Sequence, residues 1–235
     1  MKKGFIFLAL IFFSFESFCF AGESVVGKIV KYEGGVTVYR NDEVKGEKVK
    51  GTDFQVNAGD VLKTRMKSSA FVKLVDNSSV FLDEQSVLTF NDEKHLFADN
   101  GTLFFKIQSQ KGTKGVVVST RTATIGVKGT KFAIVSDNVS VKCYLTEGSL
   151  SIEAVKDEFR RYVESQKDEF EDFVKQRFYD YSDYKERLKK EYVEYVKSFE
   201  MNEGKAINIS DNNEVRNIEI PDYITQKFRE LDDIK

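Results

Sequence analysis

The residues able to do chemistry are few: the chain has one histidine, His95, and two cysteines, Cys19 and Cys143. A zinc or facial-triad centre needs several imidazole, thiolate or carboxylate ligands converging on one point, and a single histidine with scattered acids offers no such set. A serine nucleophile would have to rely on His95, yet no Gly-x-Ser-x-Gly elbow precedes it. The adjacent acids Asp83/Glu84 and Asp92/Glu93 are the nearest approach to a glycosidase pair, but they sit beside turn residues, and that reaction depends on a separation set by the fold, not by sequence spacing. The inventory therefore points to a protein that is not an enzyme and needs no cofactor or metal.

The other candidate site is Thr120-Arg121-Thr122-Ala123-Thr124-Ile125-Gly126-Val127-Lys128-Gly129-Thr130-Lys131-Phe132. Its Gly126-Val127-Lys128-Gly129 matches the Gly-x-x-Gly loop by which some RNA-binding domains clamp a backbone. That loop joins two helices, whereas Val116-Val117-Val118 and Phe132-Ala133-Ile134-Val135 flank this one with β-branched and aromatic runs. The expected structure is a tight turn between strands, its glycines supplying positive φ or close backbone approach. Gly126, Val127, Lys128, Gly129 and Thr130 are the candidate binding residues, with an architectural role as the competing reading.

The elements that would hold this turn are strands. From Val25 to Ile152, short β-rich runs are separated by Gly, Asp and Asn. Val36 and Val38 alternate with Thr37 and Tyr39, and Ala70, Val72 and Leu74 alternate with Phe71, Lys73 and Val75. Val141, Cys143 and Leu145 alternate with Ser140, Lys142 and Tyr144, which reads Cys143 as a buried thiol behaving like a small hydrophobe. No helical period intervenes before residue 153, so the pattern implies an all-β sandwich, barrel or roll. Asp-Asn recurs at 76–77, 99–100, 137–138 and 211–212, each copy a hairpin or corner signal. Three of the copies also read as glycosylation sequons, which turn chemistry explains without sugars.

From Glu153 to Met201 the period changes. Phe159, Val163, Phe170, Val174, Phe178, Tyr181, Leu188, Tyr192, Tyr195 and Phe199 recur at spacings of three and four, or multiples that keep to one stripe, with acid-before-base pairs such as Asp157/Arg161 and Glu186/Lys190. Residues 153–203 are expected to be a helical insertion, either one long helix or a hairpin breaking near Tyr179 to Asp183. Its aromatic stripe is a packing face through which the protein could bind a partner or a second copy of itself. Residues 204–235 should return as strands at Lys205–Ile209 and Val215–Ile220. Pro221-Asp222 then opens a short helix with Ile224, Phe228 and Leu231 on one side.

Met1-Lys2-Lys3, the apolar run from Gly4 to Phe15 and Cys19-Phe20-Ala21 have the basic, hydrophobic and small-residue order of a signal peptide. The apolar run is too short for a bilayer span of about 20 residues. Cleavage after Ala21 is expected, placing the chain in the periplasm or outside the cell and removing Cys19. The alternatives are lipidation of Cys19 and an uncleaved anchor. Over the full 235 residues, 36 Lys+Arg face 38 Asp+Glu, a net charge of −2 that gives no cationic footprint for nucleic acid.

Gly35-Val36-Thr37-Val38, Gly59-Asp60-Val61-Leu62-Lys63-Thr64, the Thr120 to Phe132 stretch and Glu147-Gly148-Ser149-Leu150, in that order, resemble the FecR domain family over residues 25–152, a resemblance expected to resume at 204–220. Lys128 stands where the family more often has Arg. The resemblance implies a bacterial, extracytoplasmic, mainly β domain, an elongated antiparallel roll or solenoid-like fold that binds proteins or relays an envelope signal. The partner would be an envelope protein or cell-surface ligand. An envelope structural protein that self-associates through residues 153–203 is the alternative function.

Overall fold

The computed structural model describes residues 24–41, 43–108, 115–163 and 192–232. They form nineteen strands and one helix, α1 (Asp222–Asp232). The fold is mainly β.

Backbone pairing sorts the strands into two sheets. The first runs β4 (Phe54–Asn57), β1 (Val25–Glu33), β6 (Ser69–Leu74), β7 (Ser79–Leu82), β9 (His95–Lys106), β12 (Lys131–Ser136), β13 (Ser140–Glu147), β18 (Ala206–Ser210), β19 (Glu214–Ile218), β15 (Phe159–Val163), β16 (Tyr192–Val196). The second runs β3 (Glu47–Lys48), β2 (Val36–Tyr39), β5 (Val61–Thr64), β8 (Val87–Phe90), β9, β10 (Val116–Ser119), β11 (Ala123–Val127), β14 (Ser149–Ala154), β17 (Ser198–Asn202). β9 belongs to both: Leu96 to Asn100 pair with β8, whereas Gly101 to Lys106 pair with β12. The corner falls at Asn100-Gly101, where Gly101 has φ 92°.

Alternation decides what each sheet buries. Ala70, Val72, Leu74, Leu103, Phe105, Phe132, Ile134, Cys143 and Ile209 of the first sheet share one buried cluster with Val38, Leu62, Leu88, Ile125 and Ile152 of the second. Phe105 and Phe132 stack in it with ring centroids 4.8 Å apart. The intervening residues of the first sheet point outward, and Phe71, Phe81, Phe104, Ala133, Tyr144 and Ala206 pack under Ile224 and Phe228 of α1. A sheet covered on both faces is apolar on both, which is why these strands read as near-continuous hydrophobic runs.

The four Asp-Asn pairs all lie at turns or corners. Residues 76–77, 137–138 and 211–212 close the β6–β7, β12–β13 and β18–β19 hairpins, and 99–100 is the bend in β9. Left-handed backbone is taken by Asn77 at the first, but one residue later at the others that use it, at Gly101 and Asn213.

Two expectations need correction. The pairing is not wholly antiparallel: β10 runs parallel to β9, and β15 parallel to β19. The helical reading of 153–203 fails at both ends, where residues 159–163 and 192–202 are strands and the Asp157/Arg161 pair spans a bend and a strand. Phe159 is fully buried and meets Phe199 edge-on at 5.6 Å. Residues i and i+4 share a face in a strand as they do in a helix, so Phe159/Val163 satisfies either period, whereas Tyr195 and Phe199 fall on β16 and β17, strands of different sheets on either side of a bend at Lys197. The middle of the stripe, from Phe170 to Leu188, lies outside the described residues, as does the leader at 1–21. Among the described residues no helix is long and apolar enough to cross a membrane.

Candidate functional site

The Thr120 to Phe132 stretch is spread along β11 instead of gathering at one point. At its start, Thr120 is buried, its amide donates to Ala123 O (2.8 Å), and its Oγ1 accepts from Ala123 N and donates to Ala123 O at 3.0 Å each. This closes the β10–β11 hairpin and leaves Arg121 exposed at its tip. At the other end the chain crosses from the second sheet to the first through Lys128-Gly129-Thr130, with Gly129 at φ 66°. The backbones of Thr130 and Ile107 exchange both their hydrogen bonds there, at 2.9 and 3.2 Å.

Of the five candidate binding residues, Lys128 alone has an exposed side chain. Val127 and Thr130 are buried, and Gly126 lies within β11 between Val117 and Ser151. Gly126 has neither positive φ nor a close neighbour: an added Cβ would meet nothing nearer than 3.7 Å. The expectation that both glycines serve the turn is thus met by Gly129 and not by Gly126, because the turn begins only after Val127.

Sequence reading missed a cleft at the opposite end of β11. Four connections build it: the Arg121-Thr122 tip, the Asp137–Ser140 turn, the Asp211–Asn213 turn and residues 156–158 before β15, with Tyr195 on one wall. Its volume is about 680 Å³. Arg121 donates to Asp137 O and to Asn138 Oδ1 (3.4 Å), tying two turns together. The amides of Val139 and Ser140 each donate to Asp137 Oδ1 at 2.8 Å, holding its carboxyl below the usual carboxylate range. Arg160 pairs with Glu214 (3.2 Å), and Asn213 Nδ2 donates to Asp157 O (3.0 Å). Two of the four Asp-Asn turns thus face one space, a juxtaposition their positions along the chain do not encode.

The cleft's chemistry is hydrogen bonding with charges of both signs. Small-molecule pockets are mostly apolar and enclosed, whereas this wall is open and built from turns. His95 stands elsewhere, exposed at the β8–β9 turn, with its Nδ1 2.8 Å from Asp92 Oδ2. Glu84 accepts the Lys67 amide and Asp92 the Lys94 amide, so one acid of each adjacent pair closes a turn. Cys143 is fully buried, and that burial pushes its thiol up to about 12. Among the described residues no three His, Cys, Asp or Glu side chains cluster as a metal site would require.

The family model described as "FecR protein" matches residues 60–151. The matched stretch is similar to a FecR domain. It runs from Asp60, one residue before β5, into β14, and holds the bend in β9 and both crossings that flank β12–β13. No curated protein matches the chain. Two crystal structures from Parabacteroides distasonis, each provisionally described as an anti-sigma factor, are similar at 13% identity with TM-scores of 0.47 and 0.43. The chain is covered over 72% and 68% of its length in these comparisons, and it spans 64% and 59% of theirs.

The upstream FecR residues are also structural. Asp60 is 1% exposed, accepts the Asn57 amide at 2.8 Å and pairs with Arg40 at 2.6 Å, while the Arg40 guanidinium lies 5.1 Å from the Phe54 ring centre. These contacts tie β2, β4 and the turn into β5 at one corner of the two sheets.

Proposed function

We propose that the protein is a non-enzymatic module of the bacterial envelope that binds another protein and takes part in envelope signalling. The observation that carries this reading is the FecR match over residues 60–151, which falls on the central strands of both sheets. The repeated passage of the chain between the sheets supports reading the domain as the roll of that family. The mixed-charge cleft between Arg121 and Asn213 suits a polar protein surface better than a small apolar ligand. Residues 1–21 we read as a cleaved signal peptide that delivers the chain to the periplasm or beyond. Residues 164–191, with Phe170, Val174, Phe178, Tyr181 and Leu188 at helical spacings, we read as a helical insertion offering a contact face.

The test is cross-linking of the tagged full-length protein in its host, followed by purification from the envelope fraction. A defined envelope protein recovered with the native chain, and lost with an Arg121→Glu/Arg160→Glu variant that remains folded, is the expected result. Recovery of the chain alone, or fractionation of the protein with the cytoplasm, overturns the proposal.

A further inference from the structure

The first sheet is the middle layer of the molecule, and α1 alone covers the outer face of its centre among the described residues. Phe104 meets Phe228 edge-on at 5.2 Å and Phe81 at 6.0 Å. Ile224 is fully buried and Phe228 7% exposed. A polar clasp closes the far end of the helix: Asp232 accepts from Lys106 Nζ (2.6 Å) and Lys131 Nζ (2.9 Å), and Lys131 also donates to Glu147 (2.8 Å). Those partners stand on β9, β12 and β13, and Lys131 and Glu147 directly adjoin the Gly129 and Gly148 crossings.

Three features set α1 apart from the strands beneath it. With 11 residues it is shorter than the ~12–15 at which an isolated helix becomes even marginally stable in water, so it is helical because it is docked. It shares no backbone ladder with the sheet. A partly open cleft of about 110 Å³ runs along its C-terminal half, between Phe81, Phe104, Phe228 and Leu231 on the apolar side and Lys73, Lys106 and Asp232 on the polar side, so solvent reaches the edge of the contact. Elements with few buried contacts and no ladder open at free energies well below that of global unfolding.

We infer that the outer face of the first sheet is a docking groove for an amphipathic helix of a partner protein, which α1 occupies in cis and vacates when that helix binds. The occupant's chemistry is written in α1. It presents apolar residues at the spacing of Ile224, Phe228 and Leu231, followed at once by a carboxylate for the Lys106 and Lys131 ammonium groups. Exchange of one helix for another recovers the same apolar area and ion pairs, so the incoming helix has to overcome only the intramolecular advantage of α1. Displacement also takes Asp232 away from Lys131, which keeps its pair with Glu147 at the crossings, and this change of partners gives the matched stretch a way to register occupancy. This rests on the protein-binding reading above and names the surface.

Two measurements test it, neither of which needs the natural partner. Hydrogen–deuterium exchange on the unaltered full chain should show α1 amides exchanging at least about 100-fold faster than those of β12 and β13, as local opening requires. A synthetic peptide of residues 219–232 should bind saturably to the full chain carrying Ile224→Ala and Phe228→Ala, at least about 10-fold more tightly than to the wild type, whose groove is already filled. Adding Lys106→Gln and Lys131→Gln to that variant should weaken the peptide by about 10-fold. Protection of α1 equal to that of the sheet strands overturns the inference, as does a folded double variant that ignores the peptide. If the variant does not fold, the exchange result on the wild type decides. Failure of either arm leaves the envelope partner search untouched, and an empty partner search leaves these results standing.

Discussion

A Cβ placed on Gly148 would stand 2.7 Å from the carbonyl oxygen of Gly129 and 2.6 Å from Cγ2 of Thr130. Both glycines have left-handed backbone, φ 91° and 66°, and they mark opposite traffic: at Gly129 the chain enters the first sheet, and at Gly148 it leaves it. The two most recognisable FecR segments are therefore halves of one double crossing, pressed together by the β12–β13 hairpin between them.

Gly148→Ala and Gly129→Val should each destabilise the protein by about 1–3 kcal/mol, the scale of backbone strain at a non-glycine residue forced to positive φ, with the contact adding to the cost at Gly148. Gly126→Ala should lie within about 1 kcal/mol of wild type, because its nearest neighbour would be 3.7 Å away and a strand interior disfavours glycine. Urea unfolding of the three variants checks this. Equal losses at all three positions would refute the assignment of the turn to Gly129.

Asp60→Ala should cost about 3 kcal/mol. It removes the buried carboxylate that pairs with Arg40 and receives the Asn57 amide, leaving the largely shielded guanidinium with only its longer contacts to Glu47 and Gln55 O. A thermal melt reads this directly, and Asp60→Asn should recover part of the loss by keeping the amide contact.

Native Cys143 should resist thiol reagents at pH 8 and react completely in denaturant. It has no exposed surface, and burial pushes the thiol up to about 12, so almost no thiolate is present at that pH. Rapid labelling of the folded chain, followed by mass spectrometry, would show that the β13 core opens far more easily than its packing implies.

The clasp on α1 has a defined pH window. Hydrogen bonds from Lys106, then Lys131, hold the Asp232 carboxyl below its ordinary value, so its stabilisation is present above the unfolded carboxylate range near pH 4 and is lost as pH falls through the depressed folded value. Glu147, then Asp232, raise the Lys131 ammonium, so its share is present below about pH 10 and is lost as pH rises through the raised value. Asp232→Asn should lower the protection factors of the α1 amides at pH 7 and make them insensitive to acidification between about pH 5 and 3, whereas those of the wild type, corrected for intrinsic exchange, fall over the same range.

Replacing residues 164–191 with a short Gly/Ser turn should leave a folded protein, because Val163 and Tyr192 are directly opposed in the β15–β16 register and their Cα atoms lie about 5 Å apart in such a pair. Excising 156–200 should not, since it removes the buried Phe159 and its partner Phe199 together with β15, β16 and most of β17. Circular dichroism of the two deletions distinguishes an interaction arm confined to 164–191 from one that includes the sheets.

Much of the fold was legible locally. The alternation of Ala70, Val72 and Leu74, the burial of Cys143, the four Asp-Asn turns and the helix after Pro221 follow from side-chain period and turn chemistry, which act within a few residues. The ends of the stripe were not legible: a spacing of four places Phe159 and Val163 on one face of either element, and the passage from β16 to β17 that separates Tyr195 from Phe199 is fixed only by pairing with distant strands.

The site divides the same way. The sequence by itself determined that the Thr120 to Phe132 stretch would be a strand-bounded turn region, since that depends on residue types and near spacing. Only the tertiary structure decided that this stretch is mostly core, with Ile125, Val127 and Phe132 buried, and that Arg121, Asp137 and Asp211 meet around one cleft. Which turns share an end of a two-sheet fold depends on strand order, and strand order is set by where the hydrophobic faces close on each other, a property of all the strands at once.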